Sequence, residues 1–161
     1  MPDAAEPAPE WVLLAYRLPR EPSTPRIALW RRLRRLGAVQ ILDGLVALPR
    51  DGRTQEHFEW LADEIVEAGG EASLWFAAPG SSAHARQLGQ RMAEAAAEEY
   101  RTVIGAAEAA RKTDAAAQRR TLARLRRALQ ATSARDFFPP PEREQARQAV
   151  EELASAVEVV P

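Results

Sequence analysis

The sequence has 161 residues, of which 46% are hydrophobic and 28% charged, with a net charge of −1 and no cysteine. The length indicates one domain, or one domain with a helical extension. The apolar fraction excludes wholesale disorder, and no apolar run reaches the roughly 20 residues of a membrane-spanning helix. The absence of cysteine excludes disulfides, thiolate metal sites, thiol redox sensing and a cysteine nucleophile.

The first elements follow a short leader. Residues 1–9 are rich in proline, alanine and acid and are expected to be flexible, without the basic and apolar regions of a signal peptide. The apolar run 11–16 predicts a strand buried on both faces. After a proline-rich loop, Thr24 is the predicted N-cap and Pro25 the first residue of a helix that ends at Gly37. The apolar spacing predicts four inward side chains on this helix: Ile27, Trp30, Leu33 and Leu36.

A hairpin and a second helix come next. The apolar runs 38–42 and 45–48 flank Asp43-Gly44, which predicts a type I′ turn with positive φ at both turn residues. Thr54 is predicted to cap a helix that ends at Gly69-Gly70. Its inward side chains are expected to be Phe58, Leu61, Ile65 and Val66, and its outer face is acidic, with Glu56, Glu59, Asp63, Glu64 and Glu67. Residues 72–77 predict a fourth strand.

This order of elements predicts an α+β protein. Strand, helix, strand, strand, helix, strand is the ferredoxin-like βαββαβ pattern, an antiparallel sheet with both helices on one face. Three amphipathic helices are predicted afterwards, over 81–112, 114–131 and 142–157. We therefore expect a leader at 1–9, a ferredoxin-like domain at 10–78 and a helical extension at 79–161.

The charge is segregated along the chain. Residues 17–53 contain nine Arg and three acids, a net charge of +6, and residues 111–135 contain eight cations and one acid, a net charge of +7. Because the whole chain carries −1, the remainder carries −14. Such segregation creates local fields that attract anions even when the total charge is slightly negative.

Several segments resemble the N-terminal domain of the chromate resistance protein ChrB. They are LPREPSTPR at 18–26, WRRLRRLGA at 30–38, the Asp43-Gly44 turn with Leu48-Pro49, EASLW at 71–75 and RDFFP at 135–139. The similarity covers about residues 11–155. More remotely, the strand–helix–hairpin pattern is similar to the middle domain of PaaX-type repressors.

The resemblance implies a cytoplasmic transcription regulator of chromate resistance operons. In that family the N-terminal part is the presumed DNA-contacting region, and a further C-terminal domain is associated with sensing. The 161 residues correspond only to the N-terminal part of the family, so direct chromate sensing is not expected of them. The C-terminal domain is cut away, encoded as a separate sensor protein that is then a candidate partner, or absent. A homodimer is expected, because operator half-sites are usually read two at a time.

The first predicted helix and the loop before it are the candidate site for double-stranded DNA or another anion. No acid lies between Arg26 and Leu42, so this helix has no intrahelical ion pairs to offset its own repulsion. The alternatives are an acidic protein surface, including that of a dimer mate, the acidic second helix of the same chain, and a tetrahedral oxyanion bound at the helix N-terminus. A solvated helix face with no binding role is the remaining interpretation. The candidate residues are Arg17, Arg20, Arg26, Arg31, Arg32, Arg34 and Arg35.

A secondary basic face is predicted on the helix over 114–131. Its members are Arg119, Arg120, Arg124 and Arg127, with Arg126 on the same helix. No aromatic residue interleaves with them, so single-stranded nucleic acid is not favoured there. A solvated face, or one paired with the acidic helix over 81–112, is the simpler interpretation.

No catalytic, cofactor or metal site is expected. His57 and His84 are the only histidines and neither has a partner at ligand spacing. There is no glycine-rich phosphate loop or G-x-S-x-G motif, so we expect no enzyme. The four tryptophans, Trp11, Trp30, Trp60 and Trp75, are expected to pack in the core or at its edge.

Overall fold

The computed structural model describes residues 10–159, so the predicted leader lies outside the described residues. Four strands and five helices make a mixed α+β structure, as predicted. They are β1 (Trp11–Arg17), α1 (Thr24–Leu36), β2 (Val39–Leu42), β3 (Leu45–Pro49), α2 (Gly52–Glu67), β4 (Glu71–Ala77), α3 (Ser82–Ala110), α4 (Ala115–Ala134) and α5 (Glu142–Val159).

The four strands form one antiparallel sheet in the order β2-β3-β1-β4. Val12 lies opposite Leu48 on β3 and Leu14 lies opposite Val46, and all four side chains are buried. Paired residues of antiparallel strands share a face of the sheet, so these side chains form one apolar layer. The alternate positions of β1, Leu13 and Ala15, are only half-buried, so β1 is not buried on both faces as predicted. Its central place in the sheet accounts for its continuous apolar sequence.

The hairpin between β2 and β3 differs from the predicted turn. Gly44 has a φ of 75°, but no non-glycine residue in the described part of the chain has a positive φ, so Asp43 does not meet the type I′ requirement. The strand register instead shifts between Gln40 and Leu42. The connection is therefore not the regular type I′ hairpin that the sequence predicts.

The two N-caps each lie before the predicted residue. Ser23, not Thr24, occupies the N-cap of α1 and makes no side-chain capping hydrogen bond. Asp51, not Thr54, caps α2: its side chain accepts from the Thr54 N–H at 2.8 Å, and the Thr54 hydroxyl accepts from the Asp51 N–H at 3.0 Å. This capping box satisfies two backbone donors, and Thr54 is buried because it serves as the third residue of the helix.

The predicted inward residues of the two helices are partly wrong. Leu29 and Leu33 are the buried residues of α1, whereas Ile27 and Trp30 are exposed. Both sets fit a 3.6-residue period, and the structure buries the one that leaves Trp30 outside. On α2, Phe58, Leu61 and Ile65 are buried as predicted and Val66 is exposed. Among the tryptophans only Trp11 is buried, and Trp30, Trp60 and Trp75 are more than half exposed.

The chain forms two compact units that divide between Leu88 and Gly89, inside α3. The second unit has a core of its own, built from α3, α4 and α5: Tyr100, Val103, Ala107, Ala110, Leu122, Leu125, Ala146, Val150 and Leu153. Most of these positions are those that the helical period predicts. Gly37, which ends α1 with a φ of 76°, likewise follows the prediction.

Candidate functional site

A cleft of about 930 Å³ lies in the first unit, between the end of β1, the loop that follows it, α1 and the β2–β3 turn. The Tyr16 N–H donates to the Gly44 carbonyl oxygen at 2.8 Å, which holds the strand end against the turn. A Cβ on Gly44 would lie 2.4 Å from the Tyr16 carbonyl oxygen, so only glycine permits this approach. The cleft therefore has a floor fixed by backbone geometry.

Four of the seven predicted arginines line this cleft: Arg17, Arg20, Arg26 and Arg31. All four are exposed, and none forms an ion pair with any carboxylate in residues 10–159. Four unpaired cations around one concavity produce a positive potential that is focused by the walls of the cleft. The structure thus brings together the loop arginines and the first half of the helix.

The other three arginines lie outside the cleft. Arg32 forms an ion pair with Glu64 on α2, so the acidic second helix does neutralise one cation of α1. The Arg34 guanidinium lies over the Trp30 ring, 4.9 Å from its centroid. Arg35 is exposed and makes no ion pair within the described residues. The predicted basic helix is therefore divided among three different surroundings.

Sequence reasoning missed the uncharged lining of the cleft. Trp30 was expected to face the core, yet its ring is 54% exposed and lines the cleft. Gln40 and Asp43 lie on the opposite wall, where the Gln40 side-chain amide donates to the Asp43 carboxylate at 3.1 Å. The signal available in the sequence was the position of Trp30 between Arg26 and Arg34, each four residues away on the same helix.

Tyr16 occupies the floor between charges of both signs. Its partial burial raises the pKa of its phenol above the usual value of 10.0, the cation of Arg26 opposes the rise, and the carboxylate of Asp43 adds to it. The Tyr16 hydroxyl is consequently neutral at physiological pH, and a neutral phenol can donate to an anion.

A protein-family model matches most of the chain. The family model described as "Protein ChrB, N-terminal" matches residues 26–160. The chain belongs to this family. Membership links it to chromate resistance, as the sequence resemblance implies. The match begins inside α1, at Arg26, and therefore after Arg17 and Arg20. Searches of the curated proteins and of the solved structures found no match.

The ChrB-like segment at 135–139 holds parts of the second unit together. Arg135 forms an ion pair with Glu99, and Asp136 accepts a hydrogen bond from the Tyr100 hydroxyl at 2.9 Å. A Cβ on Gly89 would lie 3.3 Å from the Phe138 ring, so the ring packs directly on the α3 backbone. In this member of the ChrB family the segment is thus structural, since it fastens the chain after α4 to α3.

The secondary basic face on α4 stands apart from any such network. Arg119, Arg120, Arg124 and Arg127 are exposed, and the part of the chain that the structure describes offers them no ion-paired acid. The acids of α3 pair with Arg101 and Arg135 instead. Of the two simpler interpretations, a solvated face fits these four arginines, and pairing with the acidic helix is not observed among residues 10–159.

Residues 10–159 of this ChrB-family chain contain neither a candidate metal site nor a candidate membrane-spanning helix. No group of three or more potential metal ligands occurs there. None of the helices in that range is long and apolar enough to cross a membrane.

Proposed function

We propose that this chain is the DNA-contacting part of a ChrB-type regulator of chromate resistance operons, and that it binds double-stranded operator DNA through α1 and the loop before it. The observation that carries the proposal is the set of exposed arginines on this segment that lack a carboxylate partner among the described residues. Arg17, Arg20, Arg26, Arg31 and Arg35 belong to this set. A DNA backbone supplies the closely spaced negative charges that such a surface lacks.

The arginines differ in what they can contact. Arg31 and Arg35 lie four residues apart, so they share one face of α1 and can follow a groove together. Arg32 and Arg34 are engaged with Glu64 and Trp30, and their contribution to binding is smaller. Guanidinium groups bind phosphate oxygens or the O6 and N7 atoms of guanine in a bidentate manner.

The architecture proposed for this regulator is a ferredoxin-like domain followed by a three-helix extension. The strand order β2-β3-β1-β4 and the alternation of strands and helices support it. The remaining expectations form part of the same proposal: a cytoplasmic homodimer without catalytic activity or cofactor, with a separate C-terminal sensor protein as a candidate partner.

A second candidate is an accessory protein that binds an acidic protein surface or an oxyanion and makes no contact with DNA. The Arg32–Glu64 ion pair favours acidic protein partners, because it shows that a helical carboxylate fits against α1. The concave arrangement of the loop arginines favours a small anion. Under both alternatives we expect the chain to bind duplex DNA weakly and without preference for the operator sequence.

Gel retardation of the upstream region of the protein's own operon at several salt concentrations tests the proposal. We expect log affinity to fall linearly with log salt, and the double variant Arg31→Ala with Arg35→Ala to reduce that slope by about 1.8, or about 0.9 for each lost phosphate contact. Undetectable or salt-insensitive binding would contradict it.

A charge-matched control separates the helix from charge in general. Arg119→Ala with Arg120→Ala removes the same charge from α4, and we expect affinity to change less than about threefold. Equal losses of DNA affinity from the two double variants would mean that α1 is not the DNA-binding element.

A further inference from the structure

We propose that the cleft beside α1 binds a purine nucleoside monophosphate, with guanine as the preferred base. The cleft combines unpaired cations, an exposed aromatic ring and one carboxylate in about 930 Å³, a volume within the range of about 300–1,000 Å³ usual for small-molecule sites. No simple anion uses all three features. The inference goes beyond DNA binding, since a free nucleotide is a ligand in its own right.

The phosphate end of the cleft is set by Arg17, Arg20 and Arg26. These side chains surround the first turn of α1, which contains no acidic residue. The N-cap, Ser23, also lines the cleft and makes no side-chain capping bond, so no cap occupies the backbone donors of the first turn, to which Pro25 contributes none. Arginines and helix N–H groups together form the donor set that binds a phosphate monoester.

Trp30 provides the platform for a base. Its side chain is 54% exposed and lines the cleft, so a planar ligand can stack on it. Arg34 lies over the ring and holds its plane. Every nucleobase has a face that can stack on an indole ring, so Trp30 selects an aromatic ligand without selecting a particular base.

Asp43 accounts for the choice of base. A carboxylate on the cleft wall repels a phosphate or any other oxyanion, and it accepts hydrogen bonds from N–H groups. Guanine carries two adjacent N–H donors, N1–H and the 2-amino group, on one edge, and a single carboxylate can accept both. The Gln40 amide, which donates to Asp43 at 3.1 Å, fixes the orientation of that carboxylate.

Calorimetric titration of the full chain with free nucleotides tests the proposal without DNA, so its failure would leave operator binding untouched. We expect saturable binding of guanosine monophosphate, and at least about tenfold weaker binding of guanosine or of inorganic phosphate alone. Arg20→Ala with Arg26→Ala should lower nucleotide affinity at least about tenfold, while the charge-matched pair Arg119→Ala with Arg120→Ala changes it less than about twofold. Phosphate binding as tightly as the nucleotide would overturn the proposal.

The role of Asp43 is tested with inosine monophosphate, which lacks only the 2-amino group of guanosine monophosphate. We expect inosine monophosphate to bind at least about fivefold more weakly than guanosine monophosphate. Asp43→Asn should abolish that difference in affinity without weakening the binding of inorganic phosphate. Trp30→Ala should weaken both nucleotides alike, and because the ring is exposed this variant keeps its fold, which circular dichroism verifies. Equal binding of the two nucleotides by the unmodified chain, or unchanged affinity in Trp30→Ala, would refute the assignment.

Discussion

The two basic helices carry similar charge in different surroundings. Two arginines of α1, Arg26 and Arg31, line a concave cleft together with Trp30, Tyr16 and Asp43, whereas the arginines of α4 project from an exposed helix face with no aromatic neighbour in sequence. A run of cations therefore does not define a site. Concavity and uncharged neighbours give α1 a selective surface, and α4 offers only a diffuse attraction to anions.

Both helices are held in place by apolar side chains on their opposite faces. Leu33 anchors α1 and Leu125 anchors α4, with relative exposures of 6% and 2%. The arginines contribute little to either attachment, because most of them have no partner among residues 10–159. The unpaired arginines of both helices are therefore available for binding, and only their surroundings decide which helix binds selectively.

The largest expected effect comes from removing these anchors. Leu33→Ala and Leu125→Ala should each lower the free energy of unfolding by about 2–5 kcal/mol, since each leaves a cavity in a buried cluster. Arg124→Ala, one residue away from Leu125, should change it by less than about 0.5 kcal/mol. Urea denaturation measures all three, and a large loss in Arg124→Ala would mean that the α4 arginines are structural.

Parts of this comparison were predictable from the sequence. The strands, the helices and the core of the second unit follow from apolar periodicity, and Gly37 follows from the need for a left-handed residue after a helix. The division of the arginines was not predictable. Leu29–Leu33 and Ile27–Trp30 satisfy the same helical period, and only tertiary packing decides which pair is buried. The sequence therefore identified the cations of the site but missed its aromatic wall.

The next effect concerns the polar anchor of α4. The Tyr100 hydroxyl donates to Asp136 at 2.9 Å and lies 3.4 Å from the Ser133 hydroxyl. Tyr100→Phe leaves this carboxylate without its tyrosine donor in a buried setting, and we expect a loss of about 1–3 kcal/mol in stability. Asp136→Asn, combined with Tyr100→Phe, tests whether the charge of the carboxylate causes this loss of stability. If the double variant is no more stable than Tyr100→Phe alone, the carboxylate charge is not the cause.

Each unit also contains a tyrosine whose stability contribution depends on pH. Burial is the main cause that raises the pKa of Tyr16 and of Tyr100 above 10.0. Because the unfolded chain then releases these protons first, the contribution is complete below pH 10 and is lost as pH rises through the folded pKa values. The urea midpoint should therefore fall as pH rises above 10. The fall should be smaller in Tyr16→Phe and in Tyr100→Phe, and an unchanged fall in both variants would contradict this cause.

The smallest effect distinguishes the paired arginine of α1 from its unpaired neighbour. Arg32 and Glu64 form a partly exposed ion pair, with side-chain exposures of 34% and 53%, and such pairs stabilise by about 0–1 kcal/mol. Arg32→Ala should thus lower stability slightly at low salt and not at 1 M salt, where the Debye length is about 3 Å. Arg31→Ala, which breaks no pair, should leave stability unchanged or raise it by relieving repulsion between like charges. If the two variants behave alike at low salt, the acidic second helix does not compete for α1, and all of its arginines are equally available to a ligand.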